Sequence, residues 1–305
     1  MRRPMERGLR FPSWLAMLLL MGGCLAAEDP VTEGRQRVEH PELVEVVWLD
    51  ERRLDESSGL AVSTRQKGHY WTHNDSGDKA CLYAFDCDGE LTGRVKLKAI
   101  DANDWEDCCS FLQDGKSRLL IADCGDNKRD REKIKLLLFD EPDPRQSAVL
   151  KQVCTITVRY PDGPRDCEAV AVDSVRQQIV LLTKSYLPQA GVYVVPLPSR
   201  SNDGTDSTVT AKKLTNLALP LVTAADIDQI TGDLWVTNYL QVFCFSASKR
   251  GMPLVQQLKQ LPTVRDLPRW KQVEAVAVDE DQNVWVTSEG SPAPLGRLIL
   301  DLEKG

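Results

Sequence analysis

One short pattern occurs five times along the chain and limits what it can fold into. The copies are "SSGLAVS" from Ser57, "DWEDCCSF" from Asp104, "DCEAVAVD" from Asp166, "VTAADID" from Val222 and "VEAVAVDE" from Val273. Aligned on Ser58, Glu106, Glu168, Thr223 and Glu274, they stand 48, 62, 55 and 51 residues apart. After a turn, each copy runs into an alternating apolar stretch: "HYWTHND", "RLLIADCGD", "QIVLLTKS", "DLWVTNYL" and "NVWVTSEG". Apolar residues at every second position mark strands rather than helices. A third apolar run follows in every copy: "CLYAFDCDG", "IKLLLFDEP", "GVYVVPLP", "QVFCFSAS" and "GRLILDL". Fourth strands are read at "LTGRVKLK", "CTITVRYP", "TAKKLTNL" and "LVQQLKQL", and the fifth copy has none.

The missing strand lies at the other end of the repeat. "LVEVVWLD", Leu43 to Asp50, precedes the first copy and belongs to no unit of its own. Four-stranded units of this period, sealed by exchange of a strand between the ends, predict an all-β fold: a β-propeller of five blades, each of four antiparallel strands. A six-bladed ring needs a hidden sixth unit, and none is found. An open solenoid leaves the orphan strand unexplained and its sheet edges bare. The small residues Ala169, Ala171, Ala275 and Ala277 suit innermost strands crowded about an axis. "SRSNDGTDSTVT" reads as a long surface loop, and no helix-period stretch follows the N-terminal segment. Residues 43–305 are therefore expected to form a single propeller domain behind a linker of residues 28–42.

The first 27 residues read as an export signal: Arg2, Arg3, Arg7 and Arg10, then "WLAMLLLMGG", then small residues around Cys24. The apolar run is too short to span a bilayer. Two processing routes fit: cleavage after Gly23 with lipidation of Cys24, since "LMGGC" resembles a lipobox, or ordinary cleavage near Ala26 or Ala27. Both place the protein in the periplasm or outside the cell, with membrane attachment only through a lipid on Cys24. Loss of residues 1–23 removes those four arginines and Glu6, moving the formal charge from −7 to about −10. That balance argues against nucleic acid and favours cations or cationic partners. The nine cysteines match no zinc ribbon or redox pair, and most read as buried free thiols. A monomer is expected.

Antiparallel pairing brings the start of each first strand and the end of each second strand to one face of the disc. Ser58, Glu106, Glu168, Thr223 and Glu274 meet there, with Asp104, Asp107 and Asp166 beside them. So do Asp75, Asp123, Lys184, Asn238 and Ser288, with "NDSGD" and "DCGDN" read as one acidic turn repeated at the 48-residue interval. Crowded carboxylates must share protons, pair with cations or hold a metal. Oxygen ligands favour Ca²⁺, and with only three histidines in the chain a His-rich zinc or copper centre is disfavoured. The metal set read from the sequence is Asp75, Glu106, Asp123, Glu168, Asn238 and Glu274.

Two other readings stand beside it. Asp and Gly are turn formers, which accounts for Asp78 and Asp126 without a ligand. The glutamates could instead accept amide hydrogen bonds from a neighbouring blade and knit the ring. Lys184 reads as an internal countercharge, and Trp105 as packing between blades.

The motifs "ESSGLAVS", "NDSGD", "LYAFDCDGE", "DWEDCCSF", "IADCGDN" and "DCEAVAV" resemble the exported SdiA-regulated and NHL-type propellers. The resemblance covers Glu56 to Asp173 and reaches the remainder only through the repeat. More distantly the chain is similar to calcium-dependent gluconolactonase and phytase-like esterase propellers. In those enzymes a strand-start Glu with channel-facing Asn and Asp holds the metal, which this resemblance places at Glu106 or Glu168, Asp123 and Asn238. Ser58 and Thr223, where a ligand would be wanted, depart from that pattern.

Two functions follow. One is a ligand- or partner-binding module with a Ca²⁺-organised acidic mouth. The other is a metal-dependent hydrolase of esters, lactones or phosphate esters. No GxSxG elbow exists, and three histidines make a Ser/His/Asp triad hard to assemble. A phosphate ester would want a basic rim, for which Lys184, Lys128 and Arg129 are the chief candidates.

Overall fold

The computed structural model describes residues 44–75, 77, 79–200 and 204–300. The export signal, Cys24, the linker and Asp78 lie outside the described residues. Strand β1 (Val44–Leu49) is followed by the first blade, β2 (Ser57–Val62), β3 (His69–Asn74), β4 (Cys81–Asp86) and β5 (Leu91–Leu97). The second blade holds β6 (Trp105–Gln113), β7 (Lys116–Asp123) and β8 (Ile134–Asp140), then, after the short β9 (Ala148–Leu150), β10 (Cys154–Arg159). The third has β11 (Cys167–Asp173), β12 (Gln178–Thr183) and β13 (Ala190–Pro196), with β14 (Ser207–Thr210) preceding β15 (Lys212–Leu217). The fourth comprises β16 (Val222–Ile227), β17 (Leu234–Asn238) and β18 (Gln241–Phe245), then the helix α1 (Leu254–Gln257) and β19 (Thr263–Asp266). The fifth is β20 (Val273–Val278), β21 (Val284–Ser288) and β22 (Ala293–Leu298), completed by β1.

The protein is thus a β-propeller of five blades, each with four antiparallel strands. β1 closes it by pairing antiparallel with β22, from Val44 opposite Leu298 to Leu49 opposite Ala293. Innermost strands meet round the axis in the order β2, β6, β11, β16, β20 and back to β2. Alanines make this crowding feasible: Ala169, Ala171, Ala224, Ala225 and Ala275 are fully buried there.

Carboxylates also occupy the axis. Asp107 Oδ2 accepts the Val170 amide of the third blade at 2.9 Å and the Ala225 amide of the fourth at 3.2 Å, while Oδ1 accepts its own neighbour Cys108 at 2.9 Å. Asp226 Oδ2 likewise accepts Val278 of the fifth blade at 2.8 Å. The carboxylates that accept amides across blades are thus aspartates one place beyond the repeated glutamate position, or three beyond it in the case of Asp226, while at that position Ser58 Oγ and Thr223 Oγ1 donate to the Glu106 and Val273 carbonyls of the next blade at 2.6 and 3.1 Å.

Three local expectations change. Ser207–Thr210, inside the segment read as a loop, is strand β14 and lies parallel to β10 on the edge of the second blade. β9 does the same on the edge of the first blade, beside β5. "LVQQLKQL" is not the fourth strand of blade four but contains helix α1. Leu254 and Leu258, four apart, bury against the blade core, and Gln257 Nε2 donates to the Gly232 and Phe245 carbonyls. The fourth strand is Thr263–Asp266 instead, paired with β18. The eight described cysteines are free thiols, all buried except Cys87.

Replacing Asp107 with Ala would leave three buried amides without this acceptor, each worth about 1–3 kcal/mol. We expect Asp107→Ala to lose roughly 3 kcal/mol or more in urea unfolding; a loss under about 0.5 kcal/mol would show that the axis does not depend on this carboxylate.

Candidate functional site: an acidic mouth

Every first strand is irregular near its start. Pairing of β6, β11, β16 and β20 skips Glu106, Glu168, Thr223 and Glu274, and pairing of β2 skips Gly59. A bulge inserts one residue and re-aims its side chain, so the repeated position is a bulge in four blades. A regular strand would turn alternate residues to opposite faces.

The closing hydrogen bond of four blades shows which residues correspond. Asp75, Cys124, Lys184 and Glu289 donate their amides to the carbonyls of Glu56, Asp104, Asp166 and Gln272, at 2.9–3.1 Å. Asp75 is therefore the counterpart of Cys124 and Lys184, and Asp123 the counterpart of Asn74. The two acidic turns are one residue out of step with the 48-residue alignment.

That step separates their roles. Asn74 Oδ1 accepts the Glu56 amide at 3.3 Å, Asp123 Oδ1 the Asp104 amide at 3.3 Å, and Ser288 Oγ the Gln272 amide at 3.0 Å. Asp123 Oδ1 also takes Arg131 Nη2 at 2.7 Å, while its Oδ2 is buried without a partner. Asn238 Oδ1 accepts the Leu240 and Gln241 amides and caps the following turn. Asp126 does the same for Asp130 and Arg131.

Asp75 instead joins Asp104 and Glu106, with one carboxylate oxygen from each lying within 4.8 Å of the others. Gly125 makes room for this group. A Cβ there would fall on Glu106 Oε1 and come within 2.5 Å of Asp104 Oδ2. Its counterpart Gly77 has φ +86° and nothing near it, so it serves the turn alone.

Around this trio, burial first and then Glu168, Asp75 and Asp104 push the Glu106 carboxyl well above the usual range. Glu168 is pushed up to about 7 by burial, with Lys184 opposing, and its Oε1 has no hydrogen-bond partner. Two buried carboxyls whose charges repel each other must keep a proton or gain a cation. Burial and then Glu289 and Asp75 raise Glu274 to about 8; its Oε1 accepts Gln272 Nε2 at 3.2 Å and its Oε2 is buried without a partner. Lys184 Nζ meets Glu168 Oε2 at 3.0 Å and lies 5.3 Å from the centre of the Tyr239 ring. Burial works against its charge, but Glu168 and Tyr239 outweigh it and hold the ammonium protonated.

Of the six residues in the sequence-derived set, the structure gathers Asp75, Glu106, Glu168 and Glu274 at one mouth and places Asp123 and Asn238 on backbone amides. Asp104, Gly125 and Tyr239 complete the mouth. The "DWED" spacing carried a signal for Asp104, which sits at the same pre-strand place as Glu56, Asp166 and Gln272.

Fold and site together define a five-bladed propeller with a carboxylate-lined mouth. No family model and no curated protein sequence matches the chain. Among solved structures it is similar to a gluconolactonase from Xanthomonas campestris, with 14% identity, 84% of this chain and 90% of that one covered, and a TM-score of 0.46. A luciferin-regenerating enzyme aligns at 12% identity over 85% and 96% of the two chains, TM-score 0.47. A glucose dehydrogenase aligns at 10% over 84% and 99%, TM-score 0.48.

The raised carboxyls fix a pH dependence. Folded Glu168 and Glu274 keep protons that the unfolded chain has lost above about pH 4.5, so stability falls as pH rises through 7 and 8. His73, which burial pushes down to about 4, acts in the opposite sense only below its ordinary value of 6.5. Between pH 6.5 and 8, denaturant unfolding should therefore show a decline of about 1 kcal/mol per pH unit or more. A flat or rising profile there would mean that these carboxyls are not held protonated.

Proposed function

We propose that the protein is a binding module whose acidic mouth takes a divalent cation, Ca²⁺, at Asp75, Asp104 and Glu106, with Glu168 alongside. The observation that carries this reading is the trio of oxygens within 4.8 Å. Ca²⁺ bonds oxygen at about 2.3–2.6 Å, so two ligand atoms on one ion stand up to roughly 5 Å apart. All donors are carboxylate oxygens, which suits this hard cation, and the space opened by Gly125 is what lets two of them converge. A bound cation would supply the charge that the glutamates now obtain by retaining protons. Export through the N-terminal segment would expose the mouth to extracellular calcium, for which affinities of about 10⁻⁴–10⁻³ M are usual.

A hydrolase of esters, lactones or phosphate esters is the second reading, favoured by Glu168. A carboxylate titrating near 7 beside a cation site is suited to take a proton from water. The binding reading needs fewer parts, since it asks only for the cation and its carboxylates.

Calcium at about a hundred times its Kd should stabilise the fold by about 2.7 kcal/mol, a rise in Tm of roughly 5 °C or more, and release protons on binding at pH 7. Glu106→Gln and Gly125→Ala should each abolish both responses. If neither calcium nor chelator moves the parent Tm, the metal reading fails. Turnover of a broad ester, lactone and phosphate-ester panel by the calcium-loaded protein, lost in Glu168→Gln, would replace binding with catalysis.

A further inference from the structure

The mouth is not uniform. Asp75, Asp104 and Glu106 belong to the first two blades, whereas on the third and fourth blades the loops leaving the same face are apolar. Tyr186 and Leu187, between β12 and β13, are 87% and 63% exposed, and Leu240, between β17 and β18, is 64% exposed. The two loops adjoin, for Lys184, at the start of the first, places its Nζ 5.3 Å from the centre of the Tyr239 ring in the second. Below them lie Lys184 and Tyr239, the residue next to Leu240.

This half of the mouth already holds one ammonium. Lys184 Nζ takes one carboxylate oxygen and one aromatic face, which together suit an organic cation. Two oxygens here have no hydrogen-bond partner: Glu168 Oε1, on a residue only 4% exposed, and Glu274 Oε2 on the neighbouring blade. Tyr239 lies close enough to feel the charge of both glutamates.

We infer that this half of the mouth binds a small amphipathic amine, its ammonium at Glu274 beside Tyr239 and its apolar body on Tyr186, Leu187 and Leu240. The inference rests on the reading of the mouth as a cation-binding face but uses other residues than the calcium trio. An ammonium that displaces the proton of a buried carboxyl oxygen with no donor leaves an ion pair in its place, and the exposed apolar side chains of the adjoining loops select a cation that carries carbon. Size argues for a small molecule. Three side chains offer a few hundred Å² at most, against about 800 Å² per partner in a stable protein interface.

The test is calorimetric titration of the full chain with 2-phenylethylamine, methylammonium and 2-phenylethanol, each with calcium and with chelator. 2-Phenylethylamine should bind at least tenfold more tightly than either of the others. The double variant Tyr186→Ser/Leu240→Ser, altered only at exposed positions, should reduce it to the level of methylammonium while keeping the calcium response. Glu274→Gln should weaken the amine at least fivefold. Equal binding of 2-phenylethylamine and 2-phenylethanol, or an unchanged double variant, overturns the inference. Calcium binding with no amine binding overturns it and leaves the metal reading standing; amine binding without calcium binding supports it and removes the metal.

Discussion

The pairing of β1 with β22 is the interaction on which the rest depends. It joins residues about 250 positions apart in the chain and removes the edge that an open row of blades would expose. Closure also sets the spacing at the axis. Five innermost strands meet there only because their inward residues are small, and their amides are satisfied in part across blades by Asp107 and Asp226. The acidic mouth opens at the centre of a ring held this way.

The mouth works against stability by itself. Burial and mutual repulsion push Glu106, Glu168 and Glu274 above the ordinary carboxylate range, so near neutral pH the folded state holds protons that the unfolded chain has released. Lys184 offsets this in part, most directly through its ion pair with Glu168. Residues that strain a fold in this way, collected from three blades at one opening, mark a place where a ligand of opposite charge has most to contribute. The metal reading and the amine reading divide that opening between its acidic and its apolar-rimmed halves.

The bulge is what turns a structural repeat into a site. In a regular strand the repeated glutamate would alternate with its neighbours and share its face with the residue two places on. Skipped by the pairing, Glu106 joins Asp104 and Asp75, while Asp107 next to it turns to the axis. Adjacent acids in "DWED" thus serve two purposes: one lines the mouth and one binds the blades together.

Much of this was legible in the amino-acid order. A period of about fifty residues, a strand-like alternation and an orphan N-terminal strand determined the propeller, its blade number and its closure, because each is a property of local pattern repeated along the chain. The gathering of Glu106, Glu168 and Glu274 at one face follows from the same repeat. The sequence did not determine the register of the acidic turns. A single extra residue in the first turn makes Asp75 correspond to Cys124 rather than Asp123, and one place in a strand decides whether a carboxylate faces the mouth or an amide. Only the tertiary structure decided that, since it depends on which hydrogen bond closes each blade. The separate uses of Gly77 and Gly125 came from the same source: one is required by its own backbone angle, the other by carboxylates brought to it from another strand and the turn before it.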